Sequence, residues 1–451
     1  MTGITWTHPS VRRLIETGVT NPMDAIEHRA REIVLNAMEE GWDGPPYDPF
    51  QLGDSLGIEI VARQDLDDAR LVASADGPRI EFNPQRRPAR IRFSVAHEIG
   101  HFLFDDYADR VRYRDLAQRR DDDWQLEILC NVAAAEFLMP AGAFPMRESE
   151  DLSLHHLLDQ RARFGVSTEA LLRRVVKLTD RPTALFAAAR LDGSREFRID
   201  YVVGSRAWRP QTRAGDTLEA SVLARCTAVG FSDEATEQWN GEDVYVQAVG
   251  VPPYPGDSFP RLVGLLQPED EVVARDPTLR YVRGDAAQPR REGPAIIAHV
   301  VNDTARNWGG RGFVLSLMDS YAAAREQYGA WASSSGNPRL SAVHLAEAGE
   351  TLWIASLVAQ AGYGVSATGR PRLKLAALRA ALEQLAAIAQ ERGADVHMPL
   401  IGTGQGGMSW PKVRDLIVEE LADRQVRATV YVLPDAPMPE DTPAEEQLSL
   451  T

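Results

Sequence analysis

Two histidines one helical turn apart, set in an otherwise apolar stretch, constrain this chain more than any other feature. Residues 90–104 read Arg-Ile-Arg-Phe-Ser-Val-Ala-His-Glu-Ile-Gly-His-Phe-Leu-Phe. On a helix His97 and His101 project from one face, with Glu98 beside them. Two neutral imidazoles at that spacing can grip one zinc ion, and the intervening carboxylate can act as a general base. Phe93, Val95, Ala96, Ile99, Phe102, Leu103 and Phe104 suit a helix packed in a core. Polar groups on such a helix cost free energy unless they are satisfied, so two histidines and a glutamate there need a reason.

A chance histidine pair is the plain alternative, and the third ligand decides between them. After the acidic run Asp121–Asp123 comes an Ala-rich helical pattern ended by Pro140, in which Glu127 and Glu136 are the only carboxylates from Trp124 onward. Glu127 shares a face with Cys130, Asn131 and Ala134, whose small side chains allow a second helix to come close. Two histidines and one glutamate, with water completing the set, form a catalytic zinc site.

Phe-Ser-Val-Ala-His-Glu-Ile-Gly-His, followed by Glu127-x-x-Cys-Asn-x-x-Ala-Ala-Glu-Phe-Leu-Met-Pro, resembles the ImmA/IrrE family of metallo-endopeptidases over about residues 25–190. The resemblance implies a mainly helical, zincin-like domain with His97, His101 and Glu127 as zinc ligands and Glu98 as general base. It also suggests a protein substrate, a regulator such as a transcriptional repressor. Cys130 stands where the family usually has alanine and reads as a small buried residue.

The chain of 451 residues has room for several domains. Its formal net charge of −16 argues against direct nucleic-acid binding. The N-terminus has no signal-peptide pattern, and no apolar run reads as a membrane span. Two distant cysteines make no disulfide framework, which fits a reducing cytoplasm.

Along the chain, the first twenty residues read as a loose lead-in. A helix follows over 22–40, with Ile26, Ala30, Ile33, Val34 and Ala37 inward. A short helix is expected over 49–56 and a strand over 58–62. Strands 70–74 and 79–82 flank an Asp76-Gly77 turn, a hairpin signal leading into the two-histidine helix. That hairpin is either a track for an extended substrate or purely structural. Two helices are expected over 152–178, with His155 and His156 as a solvated pair rather than a second metal site. These elements make a first domain over 1–181.

Residues 182–277 read as a small β-rich middle module with strands at 197–203, 244–249 and 262–266, and with Trp208 and Trp239 as core residues. From 278 to 435 strands and helices alternate: strands at 295–301, 341–345, 352–358, 396–400 and 428–433, and helices at 312–331, 372–392 and 411–421. This pattern argues a three-layer α/β/α domain with ligands beyond the strand carboxyl ends. Two glycine-rich loops lie at those ends, Trp308–Phe313 and Ile401–Gly407, and their backbone N–H groups can surround phosphate oxygens.

Arg283-Gly-Asp-Ala286, Ala298-His-Val-Val-Asn-Asp303 and the two loops resemble a macro domain, the fold that binds ADP-ribose. The resemblance implies that Asp285 reads adenine and Asn302 the distal ribose. It places the diphosphate between Gly309, Gly310, Arg311 and Gly312 on one side and Gly402, Thr403, Gly404, Gln405 and Gly406 on the other. Asp303 either acts on a water or caps its turn. A binding module is favoured, because Gln405 stands where some hydrolytic relatives carry aspartate. The acidic, Pro-rich tail 436–451 reads as disordered.

The leading reading is a cytoplasmic zinc endopeptidase controlled or targeted by a domain that binds ADP-ribose or an ADP-ribosylated protein. The alternatives are an ADP-ribosyl hydrolase regulated by its peptidase half, and a non-catalytic ADP-ribose sensor scaffold.

Overall fold

The computed structural model describes residues 5–16, 21–74, 77–108, 121–144, 152–191, 193–253, 258–269, 278–291, 293–309, 312–334, 336–363 and 370–439. The chain divides into two compact units, one of residues 1–185 with 203–210 and the other of 186–202 with 211–451. Helices and several sheets are mixed along it, as the alternating patterns anticipate.

In the first unit the helices are α1 (Pro9–Glu16), α2 (Pro22–Glu39), α3 (Pro49–Ser55), α4 (Pro88–Phe102), α5 (Asp123–Leu138), α6 (Leu154–Phe164) and α7 (Thr168–Leu178). Asn21 caps α2 by accepting from the Met23 amide, and Pro22 opens it with a preset φ. Ile26, Ala30, Val34 and Ala37 are buried on one face, as the 3.6-residue period requires. The strands β1 (Glu59–Ala62), β2 (Ala69–Ser74) and β3 (Gly77–Phe82) form a sheet in the order β1-β3-β2. β2 and β3 pair antiparallel as a hairpin, and β2 is an edge strand. Asp76 of the expected turn lies outside the described residues.

Three expectations are corrected here. Residues 9–16 are helical rather than a loose lead-in, with Val11 and Leu14 buried. The segment before this helix is tied to α5 by Gln125, whose carboxamide accepts from the Thr7 and His8 amides and donates to the Thr5 carbonyl. His155 is buried while His156 is exposed, because adjacent residues on α6 point to different sides. Finally, the stretch Asp123–Ala143 is long and apolar enough to cross a membrane by length and composition. Here it supplies a core helix, with Leu126, Leu129, Ala133 and Phe137 buried.

The middle sheet has the order β6-β5-β4-β9-β8-β7. Its strands are β4 (Ala184–Arg190), β5 (Phe197–Gly204), β6 (Thr217–Leu218), β7 (Ser232–Trp239), β8 (Glu242–Val251) and β9 (Arg261–Pro268), with helix α8 (Ser221–Arg225) before β7. β4 is alanine-rich and β7 acidic, so neither carries the β-branched pattern that announces a strand. Trp239 is buried as expected, edge-on to Phe186 at 5.1 Å between ring centres, whereas Trp208 is only half-buried.

The last sheet has the order β10-β15-β14-β11-β13-β12, from β10 (Leu279–Arg283), β11 (Ala295–Asn302), β12 (Val343–Gly349), β13 (Leu352–Gln360), β14 (Asp395–Pro399) and β15 (Ala428–Val432). All pairings are parallel except β12 with β13. The helices between them are α9 (Phe313–Ser320), α10 (Ala322–Ala332), α11 (Leu375–Arg392) and α12 (Trp410–Ile417). Alternate residues of β11 enter two cores: Ile296 and Ala298 join α11 and α12, whereas Ala295 and Ile297 join α9 and α10. The single helix expected over 312–331 is split at Tyr321, which leaves helical dihedrals and donates its hydroxyl to the Ala287 carbonyl at 2.9 Å.

The middle sheet and the last sheet meet at their edge strands β7 and β10. The Ser232 hydroxyl accepts from the Arg283 amide at 3.0 Å. Arg290 donates to the Ser232 and Arg283 carbonyls and covers the Phe231 ring. Buried Asp233 pairs with Arg225 and lies 3.5 Å from Arg280. Arg283 also donates to the Pro434 and Ala436 carbonyls, which fixes the chain just past β15. Most of the tail expected to be disordered, from residue 440, lies outside the described residues.

One buried ion pair anchors α5. Arg174 of α7 has a fully buried side chain that pairs with Glu136, donates to the Met139 carbonyl at 3.0 Å and lies 3.5 Å from Glu27. Arg174→Met leaves the buried Glu136 carboxylate with the exposed Arg31 as its neighbouring cation and the Ala141 amide as a donor. Urea unfolding followed by circular dichroism is expected to show a loss of about 3–5 kcal/mol; a change within about 0.5 kcal/mol would show the pair to be dispensable.

Candidate functional site

Pro88 opens α4 directly after the hairpin, and the helix presents His97 and His101 one turn apart with ring centres 4.9 Å apart. α5 packs across it at Gly100. A side-chain carbon built on Gly100 would lie 3.0 Å from the Cys130 Cα and carbonyl oxygen, so any larger residue would push the helices apart by a few tenths of an ångström. The contact brings Glu127 of α5 over both imidazoles. Its Oε2 lies 3.0 Å from His97 Nε2, and its Oε1 lies 3.5 Å from His101 Nε2.

The electrostatics follow from this convergence. Burial works against protonation of His97, but the Glu127 hydrogen bond, the Glu98 and Glu127 charges and Asn131 outweigh it and raise its pKa. His101 is more deeply buried, and there burial prevails and lowers its pKa. Glu127 is raised by burial but held well below the usual carboxylate range by the two histidines. These groups fit a divalent metal ion. His101 Nε2 is buried with no hydrogen-bond partner, while a carboxylate and a second imidazole point at the same place. Among the described residues a second cluster of His8, Asp122 and Asp123 gathers on the first unit, with His8 Nε2 3.5 Å from Asp123 Oδ1.

Two supporting groups escape sequence reasoning. Asn131 Oδ1 lies 3.0 Å from His97 Nδ1, where it can accept the ring proton and leave Nε2 as the donor to a metal. The Leu71 amide donates to Glu98 Oε2 at 2.7 Å, so edge strand β2 orients that carboxylate, which is 6% exposed. The helical period i, i+4 links Glu127 to Asn131 and could have flagged the asparagine. A backbone donor has no such signal.

In the second unit, the segments after β10, β11, β13 and β14 leave the parallel strands at one edge of the sheet. Asp285 follows β10, and its Oδ1 accepts from the Ala287 amide at 2.9 Å. Asn302 ends β11 and accepts from the Thr304 amide and hydroxyl. Asp303 Oδ1 accepts from the Gly362 amide at 2.8 Å, so its carboxylate holds the segment after β13. Gly309, at φ +87°, donates to Asn307 Oδ1, and Gly312, at φ +66°, caps α9; Gly310 and Arg311 lie outside the described residues.

The loop after β14 is folded on itself: Thr403 donates to the Leu400 carbonyl, and the Met408 amide donates to the Gly402 carbonyl. A side-chain carbon on Gly406 would strike the Gly402 carbonyl at 2.4 Å, whereas one on Gly404 would meet nothing within 4 Å. Gln405 is half-buried beside them. Beneath the first loop, Trp308 donates to the Ser356 hydroxyl at 3.0 Å, and that oxygen lies 2.9 Å from His299 Nε2. Burial, with His344 nearby, pulls His299 down to about 3, so a neutral ring completes this anchor.

Residues 54–176 match the M78 peptidase family model described as an IrrE N-terminal-like domain, and this family implies a metal. The chain is 33% identical to a macrodomain protein from Streptomyces coelicolor, covering 34% of this chain and 98% of that one, with a TM-score of 0.30. It is also 33% identical to a protein of unknown function from Bacteroides thetaiotaomicron, covering 34% of this chain and 96% of that one, with a TM-score of 0.33. A mouse chromodomain-helicase-DNA-binding protein 1-like is 30% identical over 175 residues, which is 37% of this chain. The chain spans less than a fifth of the length of the curated relatives it matches. By family match over residues 54–176 and by sequence identity in its C-terminal part, the chain is a fusion of an IrrE-type peptidase domain with a macrodomain.

Proposed function

We propose that the protein is a zinc-dependent endopeptidase whose cleavage of a regulatory protein is controlled or targeted by its macrodomain. The observation that carries the first half is the meeting of His97, His101 and Glu127 at one point, with Glu98 beside them and fixed by the Leu71 amide. Zinc supplies Lewis acidity that activates water and polarises a peptide carbonyl. His97, His101 and Glu127 would hold the ion, with Asn131 keeping the His97 proton on Nδ1. Glu98 takes the proton from the attacking water and passes it to the leaving amine. β2 has one side outside its sheet, which suits an extended peptide added along it.

The macrodomain is read as an α/β/α sandwich that binds ADP-ribose or an ADP-ribosylated protein at the carboxyl edge of its parallel strands. In this reading Asp285 meets adenine and Asn302 the distal ribose, while the glycine loops hold the diphosphate through backbone N–H groups. Binding is favoured over hydrolysis because the Asp303 carboxylate is engaged by the Gly362 amide.

Metal analysis of the full chain is expected to find about one zinc, lost in His97→Ala and Glu127→Ala and kept in Glu98→Gln. Incubation with a peptide library, read by mass spectrometry of new amino termini, should show cleavage by the zinc-loaded wild type and none by Glu98→Gln. Equal cleavage by both would remove Glu98 from its role. Asn131→Ala should weaken zinc binding by about 10–100-fold in a chelator competition.

Titration calorimetry with ADP-ribose should give a micromolar dissociation constant, about −8 kcal/mol. Gly404→Glu should abolish the heat, since its side chain would carry a negative charge into the open space beside the loop proposed to hold the diphosphate. Equal affinity in wild type and Gly404→Glu would place the ligand elsewhere.

A further inference from the structure

The metal centre holds one donor that the peptidase reading does not use. Cys130 stands three residues after Glu127 on α5, so the two side chains leave neighbouring positions on one face. Its sulfur and one ring nitrogen each of His97 and His101 all lie within 4.8 Å of one another. Two ligands of one tetrahedral ion, at bond lengths of about 2.0–2.3 Å, sit roughly 3.5 Å apart. Small side-chain rotations cover that difference.

The surroundings favour a ligand over a filler. Cys130 is fully buried, and His101, at 4% exposure, lies in the same group with its Nε2 3.5 Å from Glu127 Oε1 but outside hydrogen-bond geometry. A buried ring nitrogen costs free energy unless something satisfies it. Sulfur adds a soft donor to a histidine pair, the combination zinc takes at sites closed by four protein ligands.

We propose that Cys130 is a fourth protein ligand, which gives the metal centre a closed Glu–His–His–Cys state besides the open one used for hydrolysis. The inference rests on the reading of His97, His101 and Glu127 as metal ligands. On closing, the Cys130 thiol gives its proton to solvent, the sulfur lone pair forms the bond to the metal, and one water leaves. Opening reverses these steps, and no electron is transferred. The closed state has no position for the hydrolytic water, so the chain rests as a latent peptidase.

Cobalt(II) loaded into the full-length protein in place of zinc tests this without any substrate. The wild type should show a thiolate-to-cobalt charge-transfer band in the near ultraviolet, together with the visible absorption of a tetrahedral ion. Cys130→Ala and the similarly sized Cys130→Ser should lose the band but keep bound cobalt, with folding checked by circular dichroism. Their zinc affinity, by chelator competition, should fall roughly tenfold or more. The band should persist in Cys226→Ala, because that thiol lies on α8's C-terminal side in the second unit. A band that follows Cys226, or identical spectra and zinc affinity in wild type and Cys130→Ala, would overturn the proposal and leave the three-ligand site standing. Absence of stoichiometric cobalt from the wild type would overturn that site itself.

Discussion

The contact between α4 and α5 at Gly100 is the constraint on which the first unit depends. Each helix alone offers an incomplete set of donors, two imidazoles on one and a carboxylate on the other. They form one site only because the helices touch with backbone, not side chain, at the crossing. One added carbon would meet main-chain atoms at 3.0 Å and force them to shift by a few tenths of an ångström; overpacking a core typically costs about 1–3 kcal/mol. Farther along α5, Arg174 and Glu136 pin the helix from its other side. A buried pair of this kind is weak evidence for net stability, since desolvation offsets much of the attraction. Its geometry is nonetheless demanding, and it fixes where α5 lies against α7.

How much of this was legible in the sequence depends on the kind of interaction. Helical spacing made the faces of α2 and α4 readable, and the hairpin signal found β2 and β3. The pairing of Glu127 with the two histidines followed from its being one of only two carboxylates between Trp124 and Pro140, together with the family resemblance. Asn131 shares the Glu127 face as a small residue, but a linear pattern does not name its partner across the helix pair. The Leu71 amide is common to every residue type and leaves no trace in the sequence. The middle module was the least readable part. β4 and β7 draw their order from neighbouring strands rather than from their own composition, so propensity gave them no weight. At Tyr321 no glycine or proline marks the break between two helices; a hydroxyl bonding to a distant carbonyl does.

In the second unit the side chains at the ligand edge are largely occupied with the loops themselves. Asp285, Asn302 and Asp303 each accept from nearby or facing backbone amides. Trp308, Ser356 and a neutral His299 brace the first glycine loop from below. Such a division of labour would suit the anionic ligand proposed above: side chains set the loop shape in advance, which would leave backbone N–H groups as the donors. It also explains why glycine positions announce this edge in the sequence while the bracing residues do not.

The junction of β7 with β10 has a consequence for the chain as a polymer among other polymers. Both are terminal strands of their sheets, and an exposed terminal strand is a template on which another molecule can add. Here Ser232 occupies the Arg283 amide, Arg290 takes up carbonyls from both strands, and Asp233 lies between two arginines. Each sheet thus serves as the other's guard against edge-to-edge aggregation. A macrodomain cut out at residue 278 would lose its guard along β10, whereas a fragment beginning near residue 211 would retain the strand that shields it.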